Sequence, residues 1–398
     1  MFISLEKISI TLVILTFNSN INIQSKTGRK RPVVAIEKKV GMGELDKLRE
    51  SIDKIDDKIV ELLNKRSGYV LKIGNIKRVQ KATFYKPDRE RQILERLIKN
   101  NGGPFPNDAL KAIYREILSA SLALEEPLKI SCLGPLATFT HLAALRHFGS
   151  SASFVPVDSI KEVFDNVETG KAEYGVVPIE NSNEGVISYT LDMFMDCDLK
   201  VTAEVILEIS HNLLSRQEDR SKIRRIYSHP QALAQCRGWL ESNMPGIITK
   251  ESTSTAKAAE LAARDKDSAA IASELAARMY DLPIIERNIE DSRHNVTRFL
   301  VISKDFPPKT GNDKTSIMFS IKDRPGSLYE ILLPFKRAKI NLTKIESRPS
   351  KRKAWEYIFF VDMEGHIDDR KVKKAIDSLK EDTLYLKILG SYPQGNIQ

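Results

Sequence analysis

His294-Asn295-Val296-Thr297-Arg298-Phe299-Leu300-Val301 sets a polar loop against an apolar strand, with a hydroxyl and a guanidinium side by side where the two meet. Upstream of it, short apolar runs alternate with helical patterns. Runs at 130–133, 175–178, 200–207, 225–228, 269–271 and 299–302 read as strands, and 141–148, 159–169, 230–242 and 254–264 as helices. This alternation predicts an α/β segment over about 129–304. Its polar stretches follow strand ends, where such sheets bind ligands. Besides the first they are Val177-Pro178-Ile179-Glu180-Asn181-Ser182-Asn183-Glu184-Gly185, Ser228-His229-Pro230-Gln231 and Glu251-Ser252-Thr253-Ser254-Thr255-Ala256. Singly, each Asn, Ser or Gln there is an ordinary loop cap. Jointly they predict a site.

Before this segment the period changes to that of helices. Leu48, Ile52, Ile55, Ile59, Leu62 and Leu63 recur every three or four residues, which predicts a helix over 45–80. Two shorter ones come next at about 88–100 and 107–125, the former stopped by Asn101-Gly102-Gly103-Pro104. The first would be roughly 54 Å long at 1.5 Å per residue. Two shorter helices cannot bury it, so an intertwined dimer is expected. Ile55, Arg66 and Lys77, spaced by three turns, share one line. Glu90 lies on the face of Leu94 and Leu97, and Ser121 and Glu125 continue the line of Ile113 and Ile117. One such polar residue would snorkel or pair in a buried salt bridge. Five of them on three helices predict a charged pocket.

After a loop at 305–312, the order strand 315–321, helix 327–336, strand 341–347, strand 354–362, helix 368–380 and strand 384–389 predicts a ferredoxin-like βαββαβ unit. The expected division is therefore an extension at 1–41, helical 42–126, α/β 129–304 and α+β 313–392.

Composition narrows the functional classes. A length of 398 residues suits two or three domains, and 41% hydrophobic with 29% charged residues suits a globular protein. Of the net charge of +9, residues 1–41 carry five, with seven Lys/Arg against two Asp/Glu. The remainder is too dilute for a nucleic-acid footprint, and none is expected as partner. Residues 8–17 are apolar but too few to span a bilayer. No small-x-small cleavage site comes after them, and a start at Met42 or a disordered extension is expected over export. A cytoplasmic protein with no membrane partner is the expectation. Cys132, Cys197 and Cys236 have no metal-ligand or disulfide spacing and read as buried thiols. No metal or organic cofactor is expected, since H-E-x-x-H, Walker and complete G-x-G-x-x-G patterns are missing.

The α/β stretches, in their order, resemble the prephenate dehydratase family, with Gly134-Pro135-Leu136-Ala137-Thr138-Phe139-Thr140-His141 as its first loop. Leu136 and Ala137 replace the usual acidic residue and glycine, which matters if that backbone needs φ > 0. The resemblance implies two lobes, like a periplasmic binding protein, with prephenate in the cleft. It implies Thr297 as proton donor and Thr138, Asn181, Ser182, Gln231, Arg298 and Phe299 as substrate-binding, with Arg298 supplying positive charge. Residues 45–126 resemble the all-helical chorismate mutases through Leu-Arg-Glu…Arg…Gly-x-x-Lys…Asp-Arg-Glu-Arg…Ser-x-x-x-Glu.

In that likeness Arg49, from the partner subunit, and Arg66 clamp the carboxylates of chorismate, and Lys77 holds a carboxylate and the ether oxygen. Glu90 accepts from the ring hydroxyl, while Arg89 and Ser121 support the pocket. Lys86 departs from relatives with an acid there. Glu125 stands where some have Gln, so a protonated Glu125 is expected, with mutase activity falling above neutral pH.

Asp323-Arg324-Pro325-Gly326-Ser327-Leu328-Tyr329 and Ile345-Glu346-Ser347-Arg348-Pro349 resemble the phenylalanine-sensing motifs of ACT regulatory domains. Gly326, Ser327, Leu328, Glu346, Ser347, Arg348 and Pro349 are thereby implied as the effector site. The whole then reads as a chorismate mutase fused to a prephenate dehydratase, inhibited by phenylalanine, in a dimer or larger homo-oligomer. Arogenate as the dehydratase substrate, and a non-catalytic small-ligand sensor, are the alternatives.

Overall fold

The structure is a computed structural model of one chain and describes residues 42–80, 85, 87–292, 294–322, 324–350 and 357–395. The expected extension at 1–41, Lys86, Asp323 and the start of the strand expected at 354 lie outside the described residues. The chain divides into two compact units between Leu62 and Leu63.

Helix α1 (Met42–Gln80) carries Glu44 in its first turn and Lys77 and Arg78 in its last, each charge complementing the helix dipole. It is 39 residues long, three more than its periodicity predicts at the N-terminus. In the first unit its apolar stripe is uncovered, with Leu48, Ile52 and Ile55 each more than half exposed.

In the second unit, Val70 is buried and Gly74 faces the end of α3 (Asn107–Glu125). A Cβ on Gly74 would lie 3.1 Å from Glu125 Cγ, so the bare backbone permits that approach. Helix α2 (Pro87–Asn100) begins on a proline, whose missing N–H is no loss at a helix start.

The α/β segment forms two lobes. Strands β1 (Lys129–Leu133), β2 (Ser153–Val157), β3 (Tyr174–Asn181), β4 (Gly185–Val186), β5 (Lys200–Glu208) and β11 (Val296–Ser303) make the first sheet, ordered β2-β1-β3-β11-β5 with β4 on β3. Helices α4 (Phe139–Phe148), α5 (Ile160–Glu168) and α6 (Ser188–Asp196) belong with it. The second sheet, β10-β6-β9-β7-β8, uses β6 (Asn212–Leu214), β7 (Arg225–Ser228), β8 (Ile248–Glu251), β9 (Ser268–Ala272) and β10 (Ile284–Glu286). Its helices are α7 (Pro230–Gln235), α8 (Arg237–Asn243), α9 (Thr255–Arg264) and α10 (Glu274–Met279). The chain crosses from β5 to β6 and returns from β10 to β11, so two passages form the hinge. The helix expected over 230–242 is broken at Cys236, whose ψ of 12° leaves the helical range.

The last segment orders β12 (Asp313–Ile321), α11 (Ser327–Ala338), β13 (Leu342–Pro349), β14 (Tyr357–Glu364), α12 (Arg370–Asp382) and β15 (Thr383–Pro393) into the sheet β13-β14-β12-β15. One sheet face packs on its helices through Phe319, Phe335, Val361 and Leu379. The other joins the first lobe's core, where Met318, Phe360 and Tyr392 cluster with Val177, Val201 and Leu300. Burial on both faces explains why eight of nine residues of β12 are buried. At Gly390 a Cβ would fall 2.1 Å from the Val201 carbonyl oxygen, so the two sheets meet here through bare backbone.

Candidate active sites

In the helical segment, the structure gathers four of the expected residues into two pairs. The Arg66 guanidinium donates to Ser121 Oγ, which itself donates back to the Ile117 carbonyl. Lys77 Nζ donates to Glu125 Oε2 at 2.7 Å, and Arg78 donates to the Glu125 carbonyl. Ser121 and Glu125 are buried. An ammonium only donates, so the Glu125 oxygen facing it is an acceptor. Burial pushes the Glu90 carboxyl up to about 7, with Arg66 pulling the other way. Arg89 is exposed and donates to Gln92 at 3.5 Å, so it does not line this pocket in the single chain. Arg49, in the first unit, makes an exposed ion pair with Asp46.

The cleft of the α/β segment encloses about 280 Å³ and is lined by Thr138, Asn181, Gln231, Thr297 and Phe299 among the expected residues. Strand alternation explains the last two: Thr297 and Phe299, two apart on β11, face the cleft together. Thr138, His229 and Ser254 also line it, and each caps a helix by accepting from a backbone N–H. The N-termini of α4 and α9, ten residues each, thus open onto one cavity. Among the described residues that line it, none is Lys or Arg.

Alternation also overturns one expectation. Arg298 points to the opposite side of β11, away from the cleft. There it is buried and donates to Glu204 at 2.6 Å, Asp362 at 2.6 Å, Glu180 at 3.1 Å and the Tyr392 hydroxyl at 3.0 Å. Lys314 donates to Glu204 at 2.8 Å, and Lys344 pairs with Glu180. Three cations and three carboxylates therefore sit together between β11 and the last sheet. Arg298 belongs to that contact, not to the substrate cleft. Among the described residues, the helix N-termini turn positive potential toward the cleft. Ser182 is likewise not a cleft group: its Oγ donates to the His294 carbonyl and accepts from Val296 N–H, which pins the loop.

Ala137, where the usual glycine is missing, adopts φ 71°, so this backbone does need the left-handed region. The two stretches that resemble ACT motifs lie at a helix start and on an edge strand. Gly326 takes φ 85° at the start of α11, with Ser327 buried and Leu328 exposed beside it. Glu346, Ser347, Arg348 and Pro349 lie on the edge strand β13. Arg348 reaches into the α/β segment, to Ser188 and Asp192 of α6.

His211, Gln235 and Asn295 also line the cleft and were not anticipated as site residues. His211 and Asn295 lie in the two hinge passages, which carry no period to announce them.

Comparison with known proteins divides the chain in the same order. Residues 48–126 match the model for chorismate mutase type II, 130–307 that for prephenate dehydratase and 315–381 that for the ACT domain. A bifunctional chorismate mutase/prephenate dehydratase of Aquifex aeolicus is 52% identical over 361 residues, covering 90% of this chain and all of that one. One from Pseudomonas aeruginosa is 42% identical, covering 88% and 98%. Among solved structures, a prephenate dehydratase from Arthrobacter aurescens in complex with L-Phe aligns with a TM-score of 0.63 at 33% identity, covering 67% of this chain and 90% of that one.

Proposed function

Since the chain belongs to the bifunctional chorismate mutase/prephenate dehydratase family, we propose that the two clusters described above are its two active sites. It converts chorismate to prephenate and prephenate to phenylpyruvate, and carries an ACT domain through which phenylalanine inhibits it. The mutase step is pericyclic and needs a compact conformer with stabilised charge. Arg66 and Lys77 supply the cations, Ser121 orients Arg66, and Glu90 accepts from the ring hydroxyl. Arg49 completes the pocket from a second copy of α1. The uncovered apolar stripe of α1 supports such an intertwined dimer, because an exposed helix face of this length is unstable in water.

In the dehydratase step the C1 carboxyl leaves as CO₂, its bonding pair enters the ring, and the C4 hydroxyl leaves as water. That oxygen needs a proton. Thr297 supplies it and recovers it from solvent, while the N-termini of α4 and α9 hold the substrate's carboxylates. The observation that carries this reading is the hydrogen bond of 2.8 Å from Asn181 Nδ2 to Thr297 Oγ1. It occupies the threonine oxygen as acceptor and leaves its hydrogen to be donated. The order β13-β14-β12-β15 supports a ferredoxin-like ACT domain, and the boundaries 42–126, 129–304 and 313–392 are proposed for the three domains. A cytoplasmic location is proposed with them.

The test is phenylpyruvate formation from chorismate with and without phenylalanine. Wild type should form it and phenylalanine should suppress it. Thr297→Ala should stop at prephenate, with phenylpyruvate formation falling by at least about a hundredfold, the scale of a lost proton donor. Unimpaired turnover by Thr297→Ala would remove Thr297 from the mechanism.

A further inference from the structure

A chain of side-chain amides runs from the hinge to Thr297, and backbone groups fix its direction. Asn181 Oδ1 accepts from the N–H groups of Asn183 and Glu184 at 2.9 and 3.1 Å, so its Nδ2 must face the other way. That nitrogen donates to Thr297 Oγ1 at 2.8 Å and to Asn295 Oδ1 at 2.7 Å. Asn295 Nδ2 in turn donates to Gln235 Oε1 at 3.0 Å. The same Gln235 oxygen lies 2.9 Å from His211 Nε2. An oxygen only accepts, so His211 carries its hydrogen on Nε2 and a bare lone pair on Nδ1. Gln235 Nε2 donating to Glu184 at 3.3 Å fixes the same amide orientation independently.

Nδ1 of His211 is buried without a hydrogen-bond partner, in a side chain that is 3% exposed and lines the cleft. Such an orphan calls for a ligand. Backbone contacts hold the residue in place: Glu290 accepts its N–H, and Ile289 N–H donates to its carbonyl, both at 2.8 Å. Burial lowers its pKa, against the pull of Gln235 and Glu290, which keeps the ring neutral. The cleft otherwise offers donors: Thr297, Gln231 and helix N–H groups. Prephenate is rich in acceptors, with two carboxylates and a ketone. It has one donor, the ring hydroxyl.

We propose that His211 is a further substrate-contacting residue of the dehydratase, its Nδ1 accepting the hydrogen of the ring hydroxyl that leaves as water. This inference rests on the assignment of Thr297 as proton donor. The hydroxyl hydrogen on His211 turns an oxygen lone pair toward Thr297. As the C4–O bond breaks, that oxygen takes the Thr297 proton and departs as water still bound to Nδ1. His211 transfers no proton.

Two conservative variants separate the two ring nitrogens. His211→Asn places an acceptor where Nδ1 stood and removes the donor to Gln235. His211→Gln keeps a donor near Nε2 and removes the acceptor. The expected result with prephenate is that His211→Gln loses kcat by about tenfold, the scale of one neutral hydrogen bond, with KM little changed. His211→Asn should stay within about threefold of wild type on the same scale. A prephenate analogue lacking the ring hydroxyl should bind wild type and His211→Gln equally. Mutase turnover of the same proteins verifies folding.

Wild-type kcat in His211→Gln, or an equal loss in both variants, overturns the proposal. Full turnover by Thr297→Ala in parallel would instead overturn the reading beneath it.

Discussion

Glu90 and Ala137 show what single residues carry. With its carboxyl pushed up to about 7 by burial, Glu90 is half protonated near neutrality. A protonated Glu90 cannot serve as a full acceptor for the chorismate hydroxyl. Mutase kcat/KM should therefore rise about tenfold from pH 6 to 8 with a midpoint near 7, and Glu90→Gln should flatten that limb. The stability effect has the opposite sense. A carboxyl raised on folding favours the folded state most below its unfolded pKa, and this contribution is lost as pH rises through about 7. If Glu90→Gln keeps the wild-type profile, Glu90 is not the titrating group. Ala137 is a local cost: at φ 71° an L-residue loses about 1–2 kcal/mol that glycine does not. The looser unfolded chain and the loss of a fully buried methyl, about 0.8 kcal/mol, offset that relief, so Ala137→Gly should leave the denaturant midpoint nearly unchanged. These residues were legible because the sequence shows identity and spacing. Ala137's φ was posed as a condition by the missing glycine. The orphan on His211 was not, since it depends on hydrogen bonds from three separated segments.

At the scale of the element, β11 serves two surfaces. Its pairing with β3 sets Thr297 opposite Asn181 and Arg298 opposite Glu180, so one register places a cleft pair and an interface pair side by side. The type of this strand was legible from its apolar run. Which of Thr297 and Arg298 faces the cleft was not, because the partners of Arg298 come from β3, β5, β14 and β15, up to 118 residues away. Short strands such as β4 and β10, two and three residues long, gave no period at all. This geometry predicts that the regulatory sheet acts on Thr297 through Arg298. Tyr392→Phe removes one hydroxyl that accepts from Arg298 while keeping the ring's packing. The phenylalanine concentration for half inhibition should rise roughly five- to tenfold, within the usual range of allosteric coupling. An unchanged inhibition curve would take Tyr392 out of the path.

At the scale of the whole molecule, helical, α/β and α+β segments were each visible in the chain, because their periods differ. The proposed self-assembly has its trace there in the apolar stripe of α1. Ile52→Glu places a charge in that stripe, on a residue now 56% exposed. If a second copy covers it, the variant should sediment at a lower mass and lose most mutase activity while phenylpyruvate formation from supplied prephenate persists. A wild-type mass for Ile52→Glu would argue against the intertwined dimer.

The six charges between β11 and the last sheet have a consequence for how such a protein can change. Arg298, Lys314 and Lys344 balance Glu180, Glu204 and Asp362, and each is held by a partner across the boundary or beside it. Deleting the sensor would strand Arg298 and two carboxylates on a surface that Gly390 now lets the backbone seal. Water would hydrate those charges, but Val177, Val201 and Leu300 would lose their apolar cover with them. The modules read as separable beads in the sequence, yet a lineage that discards its last sheet must rewrite β11 in the same step.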